Sequence, residues 1–265
     1  MVNILRKKLL DVMFSSEKRK NVLLFLKDGS RGMEEILRHL ETTRQALLPQ
    51  MRILEDHHLI TDSDDTYSLT VLGELVVDKA SPLLKTVDLL DVDIDYWGTR
   101  NLEFLPPALL EGLNGISVCR VITPPLTDLY EVHKDFHNES KNPGATYAVT
   151  AFLYPNYNQI FTELLASGVE VNFIVSKELF EKIRANHREN FQRLLENESF
   201  RMYVYNKDMD FLFFTYDDFH ILINLLKKDG TFDNKHVLCD SMDSLEWGSE
   251  FFEYCRENST PVTEI

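Results

Sequence analysis

The sequence lacks a long apolar run and a recognisable secretion signal, and each absence narrows the class of protein. No apolar stretch approaches the roughly 18 residues that a membrane-spanning helix needs. The segment MVNILRKKLLDVMF is basic but has no apolar core followed by a small-residue cleavage site, so it predicts a short amphipathic helix and not a signal peptide. We therefore expect a soluble protein of the cytoplasm.

Cysteine is scarce, with three residues at Cys119, Cys239 and Cys255. They are far apart and have no histidine or second cysteine at the spacing that zinc sites use. We expect buried, reduced thiols, because free cysteine is among the most buried residue types. A redox-sensing thiol is the alternative.

The sequence also lacks the common catalytic motifs, including G-x-G-x-x-G, the P-loop, H-E-x-x-H and G-x-S-x-G. His133-Lys134-Asp135 stand next to each other, whereas phospholipase-D-type catalysis needs the same residues spaced as H-x-K-x4-D. His137 lies one helical turn after His133, but without a third ligand nearby we expect an exposed helix face and not a metal site. We expect no enzymatic activity and no cofactor.

The net charge of −15 is unevenly distributed. Residues 1–60 contain 11 Lys and Arg against 8 Asp and Glu, a balance of +3, while residues 61–265 contain 17 against 35, a balance of −18. Such asymmetry indicates that one part alone contacts nucleic acid. The basic part is the first sixty residues.

The order of the elements in the first eighty residues predicts a winged helix-turn-helix. Apolar residues recur at helical spacing, and Ser15 or Ser16, Thr42 or Thr43, and Thr70 can cap helices. The pattern is helix, helix, short helix, turn, helix, two short strands, helix. The expected ranges are 5–14, about 16–27, 33–40, from 42 onwards, 59–61, 67–69 and from 70 onwards. A small protein-binding helical domain is the alternative.

The fourth helix has the residues that a DNA-reading helix needs at its start. Arg44 pairs well with guanine and Gln45 with adenine, so we expect both to contact base edges in the major groove. The other candidate DNA contacts, which would bind phosphates or a thymine methyl, are Thr42, Thr43, Arg52, Lys18, Arg19 and Lys20.

Two features conflict with a simple reading helix. Pro49 stands inside it, and we expect this proline to separate a DNA-facing segment, 42–48, from a core segment, 49–57. The wing between the two strands carries Asp62, Asp64 and Asp65, which would repel phosphates, so we expect no contact between wing and DNA.

Helices and strands alternate after a helical connector over 81–96, which predicts an α/β sheet domain. The fold class is thus α+β or α/β with two domains: a winged helix-turn-helix at 1–80, an α/β regulatory or dimerisation domain at 97–258, and a tail at 259–265. Trp247 is expected to pack in the core, and KKDGTFD at 227–233 to be a loop. The expected elements are helices 100–112 (broken at Pro106-Pro107), 126–137, 156–167, 177–196 and 242–256, and strands 116–123, 145–150, 169–175, 200–205, 211–216 and 219–226.

Several segments together resemble the archaeal methanogenesis regulatory proteins. They are LLPQMRILEDHHLI, YSLTVLGEL, DYWGTRNLEFLP, GVEVNFIVS and, most specifically, LLKKDGTFDNKHVLCDSMDSLEWGSEFFEY. The resemblance spans nearly the whole chain. It implies an ArsR-like winged helix joined to a regulatory domain, in a homodimeric transcription regulator from a methanogenic archaeon.

Taken together, the sequence predicts a regulator that binds double-stranded promoter DNA and responds, in one version of the hypothesis, to a small-molecule effector. The alternative from another class is a winged helix that binds protein and is attached to an undescribed enzyme domain. The salt dependence of DNA binding separates the two hypotheses.

Overall fold

The computed structural model describes residues 8–116, 119–125 and 143–265. These residues form two units that divide at Leu84 and Lys85. The expected boundary between a winged helix ending at 80 and a connector at 81–96 is wrong, because one helix, Val71–Asp91, runs through it. Pro82 lies inside this helix and has no backbone N–H to donate to the Asp78 carbonyl, four residues earlier. Both residues are exposed, so that carbonyl can bond to water.

The first unit is a winged helix-turn-helix, as the sequence predicts. Its three-stranded sheet has the order β1-β3-β2, with both pairs antiparallel. The helices are α1 (Leu9–Phe14), α2 (Glu17–Phe25), α3 (Met33–His39), α4 (Arg44–Asp56) and α5 (Val71–Asp91), and the strands are β1 (Arg31–Gly32), β2 (Ile60–Ser63) and β3 (Thr66–Leu69).

Local capping sets where these helices begin. The Ser16 hydroxyl accepts a hydrogen bond from the Arg19 amide at the start of α2, and the Thr43 hydroxyl accepts one from the Ala46 amide at the start of α4. Apolar residues from each helix meet in one core, which includes Val22, Ile36, Leu47, Met51 and Leu54.

The second unit is built on one eight-stranded mixed sheet with the order β11-β7-β6-β5-β8-β9-β10-β4. The central strands β5, β6 and β7 are parallel, and the remaining pairs are antiparallel. The strands are β4 (Cys119–Ile122), β5 (Ala145–Thr150), β6 (Glu170–Val175), β7 (Phe200–Tyr205), β8 (Phe211–Tyr216), β9 (Ile221–Leu225), β10 (His236–Cys239) and β11 (Ser259–Val262).

Two helices of this unit differ from the sequence prediction. The helix expected at 100–112 starts only at Pro107, which occupies a first helical position where its missing N–H costs nothing. The helix expected at 177–196 is broken at His187. The described helices are α6 (Ile94–Thr99), α7 (Pro107–Glu111), α8 (Tyr157–Ala166), α9 (Lys177–Asn186), α10 (Arg188–Leu195) and α11 (Met242–Glu257).

The expected tail at 259–265 is also wrong in part, because Ser259–Val262 forms the edge strand β11 against β7. Pro261 fits this place, since an edge strand leaves one side of its backbone unpaired. The helix expected at 126–137 lies outside the described residues.

The thiol expectation needs correction as well. Cys119 on β4 and Cys239 on β10 are directly opposite each other in the antiparallel register and form a disulfide. Sequence spacing could not show this, because 120 residues separate the two cysteines and the sheet brings them together. Cys255 remains a free, buried thiol, and burial raises its pKa well above the ordinary value.

Among the helices of the described ranges, none combines the length and the hydropathy that crossing a bilayer requires.

Candidate DNA-binding surface

The turn between α3 and α4 presents the start of α4 at the surface. The Thr42 amide donates to the Leu37 carbonyl at 3.1 Å, and the Glu41 amide donates to the Arg38 carbonyl at 3.4 Å. Glu41 takes the left-handed conformation, with φ of +47°, that this helix-ending pattern requires. Thr43 then caps the next helix, so the chain reverses within a few residues.

Helix α4 separates a buried face from an exposed face along its whole length. Leu47, Met51 and Leu54 are buried, whereas the opposite side exposes Gln45 and Arg52. Thr43 and Arg44 are also exposed, and Thr42 is half-buried. The residues that the sequence assigned to base and phosphate contacts on this helix are therefore accessible.

The expected division of α4 at Pro49 is wrong. The helix runs without interruption from Arg44 to Asp56. Pro49 lies on the exposed face, so the Gln45 carbonyl that it leaves without a donor faces water. Leu47 and Met51 anchor the helix to the core on both sides of the proline, so reading and packing are divided between two faces and not between two segments.

Arg44 is held by carboxylates from two other elements. Its guanidinium donates a hydrogen bond to the Asp65 carboxylate at the tip of the wing, and lies 3.7 Å from the Glu34 carboxylate on α3. The hydrogen bond to Asp65, with the charges of both carboxylates, raises the pKa of Arg44 above its ordinary value. Both partners are exposed, so a phosphate or a base can compete for the guanidinium.

The wing is a tight hairpin that folds against the start of α3. Asp64 and Asp65 both have positive φ, of +51° and +63°, which is the conformation of a type I′ two-residue turn. The Met33 amide donates to the Asp65 carbonyl at 3.0 Å, and this bond fixes the turn beside the helix-turn-helix. The acidic tip is thereby placed on Arg44.

The basic run on α2 divides into different roles. Arg19 is only 4% exposed, and its guanidinium donates to the Val12 carbonyl, to the Asp11 carbonyl at 3.2 Å and to Gln50 Oε1 at 2.6 Å. These bonds join α1, α2 and α4, so the expected phosphate contact of Arg19 is wrong. The periodicity contains the signal that was missed, because position 19 lies on the same helical face as Val22 and Leu23.

The two lysines beside Arg19 are more accessible. Lys18 and Lys20 are both half-buried, and Lys20 forms an ion pair at 2.6 Å with the exposed Glu17. Exposed pairs of this kind are worth little in water, so both ammonium groups remain available to a phosphate.

In the second unit, the segments that carry the family resemblance hold the fold together. The buried Arg100 donates to the Asp233 carboxylate at 2.7 Å, and its guanidinium lies 4.1 Å from the centre of the Tyr96 ring. The Lys228 amide donates to the Thr99 carbonyl at 3.0 Å. DYWGTR is thus fastened to KKDGTFD, which is a loop as the sequence predicts.

Two groups at or near this contact, the half-buried Asp233 and the buried His236, have shifted pKa values. Burial pushes the pKa of Asp233 up, but the hydrogen bonds from Arg100 and from the Lys235 amide together hold it below its ordinary value. Burial lowers the pKa of His236 to about 4, against a smaller opposing effect of Asp233. Asn224 Nδ2 lies 3.1 Å from His236 Nδ1, and no atom of the described chain pairs with His236 Nε2.

Trp247 packs in the core, as expected from the sequence. Its ring is stacked on Phe251 with centroids 5.4 Å apart, and its indole N–H donates to the Leu109 carbonyl at 2.9 Å. Within residues 8–116, 119–125 and 143–265, no group of three His, Cys, Asp or Glu side chains is placed to hold a metal ion. His133, Lys134, Asp135 and His137 lie outside those ranges.

Two family models match the chain. The N-terminal domain of methanogenesis regulatory protein FilR1 matches residues 7–88, and its middle domain matches residues 129–258. Methanogenesis regulatory protein FilR1 of Methanothrix harundinacea (strain 6Ac) is 24% identical over 258 residues, which cover 96% of this chain and 58% of the relative. The chain therefore spans little more than half the length of that curated relative.

Two solved structures show weaker similarity. One is TrmBL2, an archaeal chromatin protein whose structure shows a novel mode of DNA binding. The alignment covers 93% of this chain and 94% of TrmBL2, with 12% sequence identity and a TM-score of 0.43. The other is Nuc of Salmonella typhimurium, a phospholipase D family member. That alignment covers 54% of this chain and 97% of Nuc, with 12% sequence identity and a TM-score of 0.36. Neither superposition is close enough to support an argument about function.

Proposed function

The chain belongs to the methanogenesis regulatory protein FilR1 family, and from this premise we propose that it is a sequence-specific DNA-binding regulator of transcription in methanogen metabolism. The observation that carries the proposal is the exposed start of α4 on a winged helix-turn-helix, where Arg44 and Gln45 face outward. A helix in this position of the motif enters the major groove. A protein that binds chromosomal DNA works in the cytoplasm of an archaeal cell, and we propose that location for this chain. We propose no catalytic activity for it.

The proposed contacts divide into reading and positioning residues. Arg44 and Gln45 read base edges, since an arginine pairs with guanine and a glutamine with adenine. Thr42, Thr43, Arg52, Lys18 and Lys20 bind the sugar-phosphate backbone and set the register of α4 on the duplex. Arg19 supports this surface from below by tying α2 to α4 through Gln50.

A double substitution tests the reading residues. The variant Arg44→Ala with Gln45→Ala should lose specific binding to its own promoter DNA in gel-shift titrations, because two base-edge contacts disappear. Both side chains are exposed, so circular dichroism should show an unchanged fold. The matched control is Arg184→Ala with Gln159→Ala, which removes the same side-chain types from exposed positions of the second unit and should leave binding intact. Undiminished specific shifts by the first variant contradict the assignment.

The salt dependence of affinity separates the proposal from its alternative, a winged helix that binds protein beside an undescribed enzyme domain. When the logarithm of the DNA-binding constant is plotted against the logarithm of the salt concentration, each neutralised phosphate contributes a slope of about −0.9. Removing Arg52 or Lys18 should therefore weaken binding to all sequences alike and reduce the slope by about one unit for each residue. An affinity for DNA that does not change with salt favours the alternative.

We further propose that the protein is a homodimer that uses α5, so that two copies of α4 meet half-sites about one helical turn apart. The support is an apolar stripe along α5 in the first unit, with Val71, Leu72, Leu75 and Leu83 each more than half exposed. Light scattering tests this proposal. Leu75→Lys with Leu83→Lys should give monomers, whereas Glu163→Lys, a charge reversal at an exposed position of α8, should leave the dimer intact.

A further inference from the structure

A pocket opens on the second unit between the sheet and α8. Its volume is about 510 Å³ when the open mouth is counted, and only a small part of this space is enclosed. The floor is formed by alternate residues of β5, namely Thr146, Ala148 and Thr150, and by Phe213 and Thr215 of β8. Alternate residues of a strand share one face of the sheet, so these side chains point to the same side.

The space exists because small side chains face each other across two strands. Ala148 of β5 is directly opposite Thr215 of β8 in the register. Larger residues surround this pair, with Phe161 of α8 and Phe173 of β6 among the walls. The sheet and helix therefore leave a gap that close packing usually fills.

The lining of the pocket is mostly apolar and contains no charged side chain. No Asp, Glu, Lys, Arg or His is among the residues that form it. Burial raises the pKa of the lining phenol Tyr154 well above its ordinary value, so this group stays neutral. A charged ligand would lose its hydration here without gaining a counter-ion, so the lining selects against ions.

One polar atom in this lining has no partner among the residues that the structure describes. Thr146 is 3% exposed, and its hydroxyl forms no hydrogen bond with any atom of the described chain. The nearby Thr150 hydroxyl, in contrast, donates to the Phe152 carbonyl at 2.7 Å. Buried polar atoms are nearly always paired, so an unpaired hydroxyl in an apolar pocket indicates a ligand that supplies the missing bond.

We propose that this pocket binds a small, uncharged, largely apolar molecule that carries one hydrogen-bonding group, and that this group pairs with the Thr146 hydroxyl. The aromatic walls accommodate an apolar ring or chain, and the open mouth lets a longer molecule extend into water. The proposal that the pocket binds such a molecule does not depend on DNA binding. The further step, that the bound molecule is an effector, rests on the proposed function in DNA binding.

Three probes of matched size test the chemistry on the full-length chain by ligand-observed NMR titration. Phenol has the ring and the hydroxyl, toluene replaces the hydroxyl by a methyl group, and benzoate carries a negative charge. Phenol and toluene should bind, and benzoate should bind at least about tenfold more weakly because its charge has no partner in the pocket.

Substitutions then locate the binding. Thr146→Val keeps the shape but removes the hydroxyl, so phenol should bind about five- to tenfold more weakly while toluene is unchanged. Thr146→Ser keeps the hydroxyl and should bind phenol as tightly as the parent chain does. Ala148→Leu fills the floor and should abolish the binding of both.

The proposal is overturned if benzoate binds as tightly as phenol, if Thr146→Val affects phenol and toluene equally, or if none of the probes binds to the folded chain. These titrations contain no DNA. Probe binding without any DNA binding refutes the proposed function alone, and DNA binding without probe binding refutes the pocket alone. If Ala148→Leu does not fold, the Thr146→Val comparison decides.

Discussion

The guanidinium of Arg44 at the start of α4 is hydrogen-bonded to the carboxylate of Asp65 at the tip of the wing. The residue proposed to read DNA is therefore already occupied by a carboxylate of the same chain. This relationship gives Asp65 of the acidic wing a role within the folded chain, as a partner of Arg44. A bound duplex has to displace the carboxylate or accept Arg44 with its partner.

Removing this carboxylate should strengthen DNA binding. In Asp65→Asn the amide keeps the size of the side chain and tolerates the left-handed backbone, while Arg44 loses its hydrogen-bonded carboxylate and keeps only the more distant Glu34. We expect an affinity gain of about two- to fivefold at low salt, the size of effect typical of an exposed ion pair. Gel-shift titrations at several salt concentrations measure the gain, which should shrink as salt rises.

Asp64→Asn is the matched control. Asp64 has the same charge and the same left-handed conformation, and its substitution changes the net charge equally. It should give a clearly smaller gain, because no ion pair joins Asp64 to Arg44 in the part of the chain that the structure describes. Equal gains in both variants would mean that the overall charge matters and the specific pair does not.

Local patterns in the sequence were sufficient to predict the winged helix-turn-helix. Helix starts depend on capping residues within three positions, and Ser16, Thr43 and Thr70 occupy those positions. The buried faces follow from helical spacing, as with Leu47, Met51 and Leu54. In the second unit, strand β6 was predictable because it is buried on both faces and reads as one apolar run.

Contacts between distant segments could not be predicted in this way. The pairs Arg44–Asp65, Arg100–Asp233 and Cys119–Cys239 depend on how the elements pack, and single-sequence periodicity contains no information on that. The strands β10 and β11 were also missed, since each pairs with a strand far away in the sequence or at the edge of the sheet. The pocket at Thr146 was invisible for the same reason, since it depends on the register of β5 against β8.

Replacing Pro49 should stabilise the first unit. A proline inside a helix removes one hydrogen bond, and the uninterrupted α4 carries that cost. Pro49→Ala restores a donor for the Gln45 carbonyl and should raise the free energy of unfolding by about 1–3 kcal/mol in urea titrations. Specific DNA binding should be retained, because the exposed face is already continuous.

Pro107→Ala serves as the control for this stabilisation. Pro107 is the first residue of α7, where the amide has no partner within the helix in any case. Its replacement should give no comparable gain. A loss of specific binding in Pro49→Ala would restore the hinge interpretation that the continuous helix contradicts.

Gly73 on α5 should not tolerate a side chain. A Cβ atom at this position would overlap the Leu59 carbonyl oxygen, a backbone atom that cannot rotate away. The same carbonyl accepts a hydrogen bond from the Thr70 amide at 3.0 Å, so it is fixed where the wing joins α5. Gly73→Ala should lower the free energy of unfolding by about 1–3 kcal/mol.

Gly98→Ala is the control, because it should leave the free energy of unfolding unchanged or raise it. Gly98 lies in helix α6, and a Cβ there would meet no atom within 4 Å. Alanine is the better helix former, so this variant should be neutral or more stable by up to about 1 kcal/mol. Urea denaturation of both variants compares them, and an unharmed Gly73→Ala protein would contradict the packing described for this junction.

His236 should make the second unit less stable as the pH falls below neutrality. Its pKa is about 4 in the folded chain, because the ring is buried and its Nε2 has no partner within the described residues. The unfolded chain has the ordinary histidine pKa of about 6.5, so it binds a proton first as the pH falls. Stability is therefore fully present above about pH 6.5 and is lost progressively towards pH 4, by about 3 kcal/mol in total.

The variant His236→Gln isolates this effect. Glutamine does not titrate, so urea denaturation between pH 7 and pH 4.5 should show a smaller loss of stability than in the parent chain. Asp233, which lies beside His236, has a lowered pKa and contributes its own loss of stability only below the ordinary aspartate pKa of about 3.9, outside the range measured. An unchanged slope in His236→Gln would mean that the buried imidazole does not set the acid limit of this unit.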